Sequence, residues 1–251
     1  MSSFINDVGT LSGSTDFQIS ASYVIVQSLK LINQLDPKDD YPTPAQASDG
    51  LITLNLLLKH MEGQGLQTWL RSQQSVPLVN GKRNYTLGPT GDVVIPRPIK
   101  VLEAFSRITA SSTDVMLVRT SEKTYYDISD KGTAGVPTQF TYFNTLTDTS
   151  ITVWPVPDAT VASTYTVELI YAKPFDDIDV MNQTLEVLPG MLDAVIYQLA
   201  VRLAPKYKLP LDERAVLIQE AALILDQSNQ AAKEEGSILV QPDVGYQEGH
   251  L

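Results

Sequence analysis

Apolar residues recur along the chain with two different periods, and the change of period divides it into three parts. Between about residues 16 and 65, Val24, Ser28, Leu31 and Leu35 come at three- and four-residue steps, with Ile25, Leu29 and Ile32 beside them. Behind the polar segment Ser20–Ser22 this predicts a capped helix over Val24–Leu35 with a broad apolar face. Pro37 follows its end, and residues 36–44 read as a turn-rich linker. Thr43-Pro44 then reads as an N-cap followed by proline at the first helical position, where its missing N–H costs nothing. In the helix that follows, over Ala45–Met61, Leu51, Leu54, Leu58 and Met61 form one stripe, with Ile52 and Leu56 partly outside it. A helix apolar on more than one side is expected between neighbours, which makes these four residues the candidate subunit interface. Gly63 and Gly65 end it.

From about Leu66 to Phe175 the period shortens. Val, Ile, Thr and Tyr come in short runs broken by turn residues, and the aromatics and prolines concentrate here. The stretch from Val76 through Asn80-Gly81 to Leu87 reads as a hairpin, because Asn-Gly accepts the positive φ angles of a type I′ turn. Further strands are expected at Val93–Ile95, Ile99–Ile108, Val115–Thr120, Thr124–Ile128, Thr138–Phe143, Ile151–Trp154 and Tyr165–Tyr171. With no helical pattern between them, they predict an antiparallel barrel or sandwich. Pro77, Pro96, Pro98, Pro137, Pro155 and Pro157 are expected at edges, bulges or strand ends.

The longer period returns at Leu188. Leu192, Val195, Ile196, Leu199 and Leu203 follow Pro189 in a stripe that should end near Pro205. A last helix runs from Leu211 through Leu217, Ala221, Ile224 and Leu225 to the charged run before Gly236. The expected fold class is therefore α+β: a helical bundle from both chain ends (residues 1–65 and 186–236) interrupted by a β-barrel or sandwich insert (66–185). Residues 237–251 follow as an extended arm with too few apolar residues for a core, so they order on a partner or not at all. The entrance and exit of the insert, near Leu66 and Phe175–Asp179, must then lie close together.

Composition narrows the function by exclusion. The 251 residues contain no cysteine and two histidines, His60 and His250, so thiolate sites and a conventional catalytic triad lack material. No apolar run approaches the roughly 20 residues of a spanning helix, so no membrane insertion is expected. Residues 1–16 have no basic cluster and do not read as a secretory signal. The acidic groups Asp39-Asp40 and Asp176-Asp177 with Asp179 fit no calcium-loop spacing and read as solvated loop charges. Glu62 and His60 are two apart on a helix and do not share a face. Gly88-Pro89-Thr90-Gly91 lacks the lysine and helix of a phosphate loop. No enzyme and no cofactor is expected, which leaves an interaction protein.

The formal charge is −11, which opposes electrostatic capture of DNA but suits a wall along which DNA passes. Seven acidic and three basic residues give −4 for residues 1–65; twelve and ten give −2 for 66–185; ten and five give −5 for 186–251. The β segment is nearly neutral and holds most of the basic residues, including Arg71, Lys82, Arg83, Arg97, Lys100, Arg107 and Arg119. An oligonucleotide-binding barrel and a sugar-binding sandwich therefore stay open, although Trp69 and Trp154 are more often core or interface anchors than sugar platforms.

The order of elements resembles the head-to-tail adaptors of short-tailed bacteriophages, the group that includes the tail tubular protein A type. The resemblance covers nearly the whole chain. It rests on the two N-terminal helices leading into Gly65-Leu66-Gln67-Thr68-Trp69, Asn80-Gly81 followed by Tyr85-Thr86-Leu87-Gly88, and Gly135-Val136-Pro137-Thr138. Ile151-Thr152-Val153-Trp154-Pro155-Val156-Pro157-Asp158 and the Leu188-Pro189 helix continue it. It implies a virion protein forming a ring of about twelve copies between the portal and the tail nozzle, continuing the DNA channel and helping retain packaged DNA until ejection. Assembly would take place in the host cytoplasm. The implied partners are further copies, the portal protein, the nozzle protein, tail fibres, and double-stranded DNA that passes without specific binding. The arm, with Ile238, Leu239, Val240, Val244 and Tyr246, is expected to dock on the portal; no residue is assigned to the nozzle or fibres. The alternative function is a β-rich binding module of the tail that recognises a glycan or a tail fibre protein, and a cell-wall hydrolase is the third class considered.

Overall fold

The computed structural model describes residues 19–64 and 70–232, so the arm and Trp69 lie outside the described residues. Among these residues the chain is mixed α+β, with six helices and two sheets. Helix α1 (Ala21–Leu31) starts where the Ser20 hydroxyl accepts the Tyr23 N–H. It stops four residues short of the expected Leu35, because Asn33 turns left-handed at φ 56° while the Gln34 N–H closes on Leu29 O at 2.9 Å. Helix α2 (Pro44–Gly63) has the anticipated cap, and Thr43 and Gln46 complete a reciprocal capping box. Gly50 lets α2 approach α1 closely: a Cβ there would lie 2.6 Å from Ile25 Cγ2.

Two open sheets replace the barrel alternative. Strands β1 (Arg71–Pro77), β4 (Lys100–Ile108), β5 (Thr113–Met116) and β9 (Tyr165–Ala172) form one sheet in the order β1-β9-β4-β5. Strands β2 (Asn84–Gly88), β3 (Val93–Val94), β6 (Val118–Arg119), β7 (Gln139–Asn144) and β8 (Thr149–Trp154) form the other, ordered β3-β2-β8-β7-β6. Val76, Val101, Val167 and Leu169 from the first meet Tyr85, Leu87, Phe140, Ile151 and Val153 from the second in one apolar cluster, so the sheets face each other as a sandwich. Pairing is antiparallel in the middle, but the edge pairs β2–β3 and β6–β7 are parallel.

Three local expectations change. The Asn-Gly segment is a turn but not a hairpin: β1 pairs with β9 and β2 with β8, so it carries the chain from one sheet to the other. Gly81 alone takes a positive φ, 73°, whereas a type I′ turn needs two such residues. The Tyr85 hydroxyl locks this crossing by accepting the Val79 N–H and donating to Lys82 O. Residues 124–128 are not a strand, since Ser121 caps the short helix α3 (Glu122–Tyr126). The expected strand 115–120 splits at buried Leu117, changing sheets between β5 and β6. A second short helix, α4 (Ala159–Thr164), capped by Asp158, precedes β9.

Helix α5 (Pro189–Leu203) takes Pro189 in its first turn and brings Leu192, Val195, Leu199 and Leu203 into a second apolar cluster, together with Val24, Ile25 and Leu29 of α1 and Leu54, Leu57 and Leu58 of α2. Buried Ser28 lies at the α1–α5 contact, with its hydroxyl within hydrogen-bond distance of both Val24 O and Ile196 O. Helix α6 (Leu211–Ala232) packs on α5 through Leu217 and Ala221. No helix among the described residues is long and apolar enough to cross a membrane.

Candidate assembly surfaces

Residues 173–188 join the sandwich to α5, and they belong to the helical core rather than to the β segment. Phe175, Ile178 and Leu185 are buried among the α1, α2 and α5 side chains. Helix α2 holds this strap from one side. The Asn55 amide donates to Ile178 O at 2.8 Å and accepts the Ile178 N–H at 2.9 Å. Glu62 accepts the Phe175 N–H at 2.6 Å and Lys59 donates to Phe175 O at 2.7 Å. Burial lowers the Lys59 pKa, but hydrogen bonding to Asp177 and the Glu62 and Asp177 charges outweigh it and leave the ammonium above its ordinary value. The start of α1 holds the other side, as Ala21 and Ser22 donate to Gln183 O and Met181 O. Where the sandwich begins and ends, Lys173 N–H bonds Leu70 O at 2.7 Å, so entrance and exit lie together.

The expected interface stripe is used inside the subunit. Leu54, Leu58 and Met61 are almost fully buried in the helical core, and Leu51 packs partly against it. Apolar surface on α2 that remains for a neighbour is Ile52, 56% exposed, and Leu56, 61% exposed, one turn apart on the opposite face. Helix α6 has a second such surface. With Leu217 and Ala221 turned inward, Leu211, Val216 and Leu223 are more than half exposed and Ile218 nearly so. The sequence signal was there, since these positions are apolar yet fall outside the stripe of Leu217, Ala221, Ile224 and Leu225. Helix α5 packs against both α2 and α6, which have no comparable contact with each other. The uncovered faces therefore belong to two helices that both pack on α5.

Charge follows the same division. Asp212, Glu213 and Glu220 are exposed on α6 and make no ion pair among the described residues. Arg202 on α5 is partly buried without a carboxylate partner among the described residues, and desolvation lowers its pKa. The loop acids are paired: Asp40 with Lys30, Asp177 with Lys59, and Asp176 with Lys173, which also meets Glu186. No group of three metal-binding side chains occurs among the described residues. In the sandwich, Gly88-Pro89-Thr90-Gly91 is a turn closed by Gly91 N–H to Gly88 O, and Asp92 bonds Thr86 and Lys82 beside it. The Trp154 indole donates to Asp130 O at 3.1 Å, which fixes the ring to a loop. His60 is exposed on α2, and the arm residues Ile238, Leu239, Val240, Val244 and Tyr246 lie outside the described residues, as does His250.

A protein-family model described as SU10 adaptor protein matches residues 26–241, spanning both helical segments and the whole sandwich. The chain belongs to the SU10 adaptor protein family. Membership supports the bacteriophage structural adaptor class that the resemblance implied, but does not reach the tail tubular protein A type. No curated protein matches the chain.

Proposed function

We propose that this SU10 adaptor family member is a virion neck protein that assembles as a ring between portal and tail nozzle, continues the DNA channel and helps retain packaged DNA until ejection. The observation that carries the ring is the pair of uncovered apolar helix faces, Ile52 and Leu56 on α2 and Val216 and Leu223 on α6, two unlike surfaces on one subunit. A ring built from one repeated head-to-tail contact needs two unlike complementary surfaces, and a closed rotation fixes the copy number. In this arrangement α6 of one copy packs on α2 of the next; about twelve copies is the number the adaptor resemblance implies. The helical parts and arm carry −9 of the −11 charges, which fits a channel wall that DNA slides along without sticking.

The β-rich segment forms a separate insert domain facing the nozzle or fibres, while residues 237–251 dock on the portal and order as they bind. This ties ring formation to the portal, because the free subunit lacks the surface that orders the arm. The test is a pull-down on purified portal with the full chain and with a chain ending at residue 236. The full chain attaches and the shortened one stays folded but unattached; equal attachment overturns the arm assignment.

A further inference from the structure

The outer face of the second sheet holds a pocket that neither ring contact nor portal docking uses. We propose that it is a subsite for one neutral saccharide ring. The cavity measures about 200 Å³ and is lined by Glu122, Tyr125, Tyr126, Thr141, Phe143 and Thr152. Its floor is set by register: Asn84 of β2 lies opposite Thr152 of β8, which lies opposite Thr141 of β7. The Thr152 hydroxyl donates to Asn84 Oδ1 at 3.0 Å, which leaves the Thr152 lone pairs as acceptors. Thr141 is 5% exposed and lines the cavity, yet its hydroxyl has no hydrogen-bond partner among the described residues. That hydroxyl reaches the cavity and is free to donate to or accept from a ligand there.

The walls supply the complementary half. Tyr126 is 70% exposed and its ring is held in place by Tyr125 edge to face, with centroids 5.7 Å apart. Phe143 is exposed across the same cavity. A pyranose has the matching chemistry, with C–H faces that pack on aromatic rings and hydroxyls that both donate and accept. A basic side chain from a protein partner fits less well. The Lys131 ammonium already lies within 5.8 Å of both tyrosine ring centres and is anchored to Tyr126 O and Ile128 O, so the aromatic site has its cation.

The test applies the purified full chain to an immobilised glycan array and titrates free methyl pyranosides by saturation-transfer NMR. At least one glycan class binds; Tyr126→Ala abolishes the signal, and the near-isosteric Thr141→Val weakens it about fivefold, the loss of one hydrogen bond, without a change in melting temperature. Portal attachment is the same in both variants, so failure here and failure of the ring reading are distinguishable. Absence of every glycan and glycoside signal overturns the proposal, as does binding that both variants leave unchanged. Capture of a tail protein that depends on Tyr126, with no glycoside signal, reassigns the pocket to protein docking and overturns it too.

Discussion

The helical layer and the sandwich leave apolar residues uncovered on different kinds of element. In the sandwich, two sheets close on each other and the chain crosses between them four times; the inward-facing apolar side chains of β2, β7, β8 and β9 meet there, while Val94, Val115, Met116 and Val118 of the short outer strands are exposed. The helices also share a core around α5, but α2 and α6 keep apolar residues outside it. Exposed apolar side chains on the long helices α2 and α6 suit a repeated contact between copies, whereas those of the sandwich lie mostly on short outer strands and loops. Charge agrees, since the nearly neutral part is the sandwich and the acidic parts are the helices.

Breaking the helical core is the strongest test of that division. Leu199 is fully buried at the centre of α5, and Leu199→Ala should cost about 2–5 kcal/mol. If the sandwich folds independently, chemical denaturation then shows an early helical transition by far-ultraviolet dichroism and an unmoved one by Trp154 fluorescence. A single shifted transition joins the two parts into one cooperative unit. A smaller loss comes from the strap: Asn55→Ala leaves the Ile178 backbone groups without partners and should cost about 1–3 kcal/mol, read by denaturation and by faster proteolysis within residues 173–188.

Much of this division was legible in the sequence because periodicity is a local property. The α2 cap, Pro189 at the start of α5 and the inward stripes of α5 and α6 depend on neighbours three or four residues away, and they hold, whereas Leu31 of the α1 stripe is exposed and Leu35 lies beyond the helix. What failed depends on distant partners or on a single backbone angle. Asn80-Gly81 signals a turn, but which strands flank it is decided by β9, about ninety positions along the chain from β1. Tyr125 and Tyr126 read as strand residues until the Ser121 cap turns them into a helix over the second sheet. Leu54, Leu58 and Met61 face the subunit's own core and Ile52 and Leu56 do not, which a two-sided helix does not reveal in its sequence. The saccharide pocket was not legible, since Thr141, Thr152 and Asn84 meet only through register.

Two further predictions have small effects on stability and sharpen the comparison for that reason. Leu56→Asp and Val216→Asp alter exposed sites, so each should change subunit stability by less than about 0.5 kcal/mol while preventing ring association in sedimentation experiments. Equal association would remove these faces from the contact. In the sandwich, a side-chain hydrogen bond from Lys82, followed by the Thr86 backbone N–H, holds the Asp92 pKa below the usual carboxylate value. A lowered folded-state pKa adds stability above the unfolded value near 3.8 and loses it as the pH falls through the folded one. The melting-temperature advantage of the wild type over Asp92→Asn should therefore shrink between about pH 5 and pH 2, leaving the helical transition difference untouched.

The most direct test of the assembly claim is the mass of the complex formed when purified portal is mixed with the full chain. The account predicts a closed ring of subunits added to each portal, lost in Leu56→Asp and in the chain ending at residue 236. Portal that stays bare, or that binds scattered single subunits with the Leu56→Asp variant binding equally well, would contradict it.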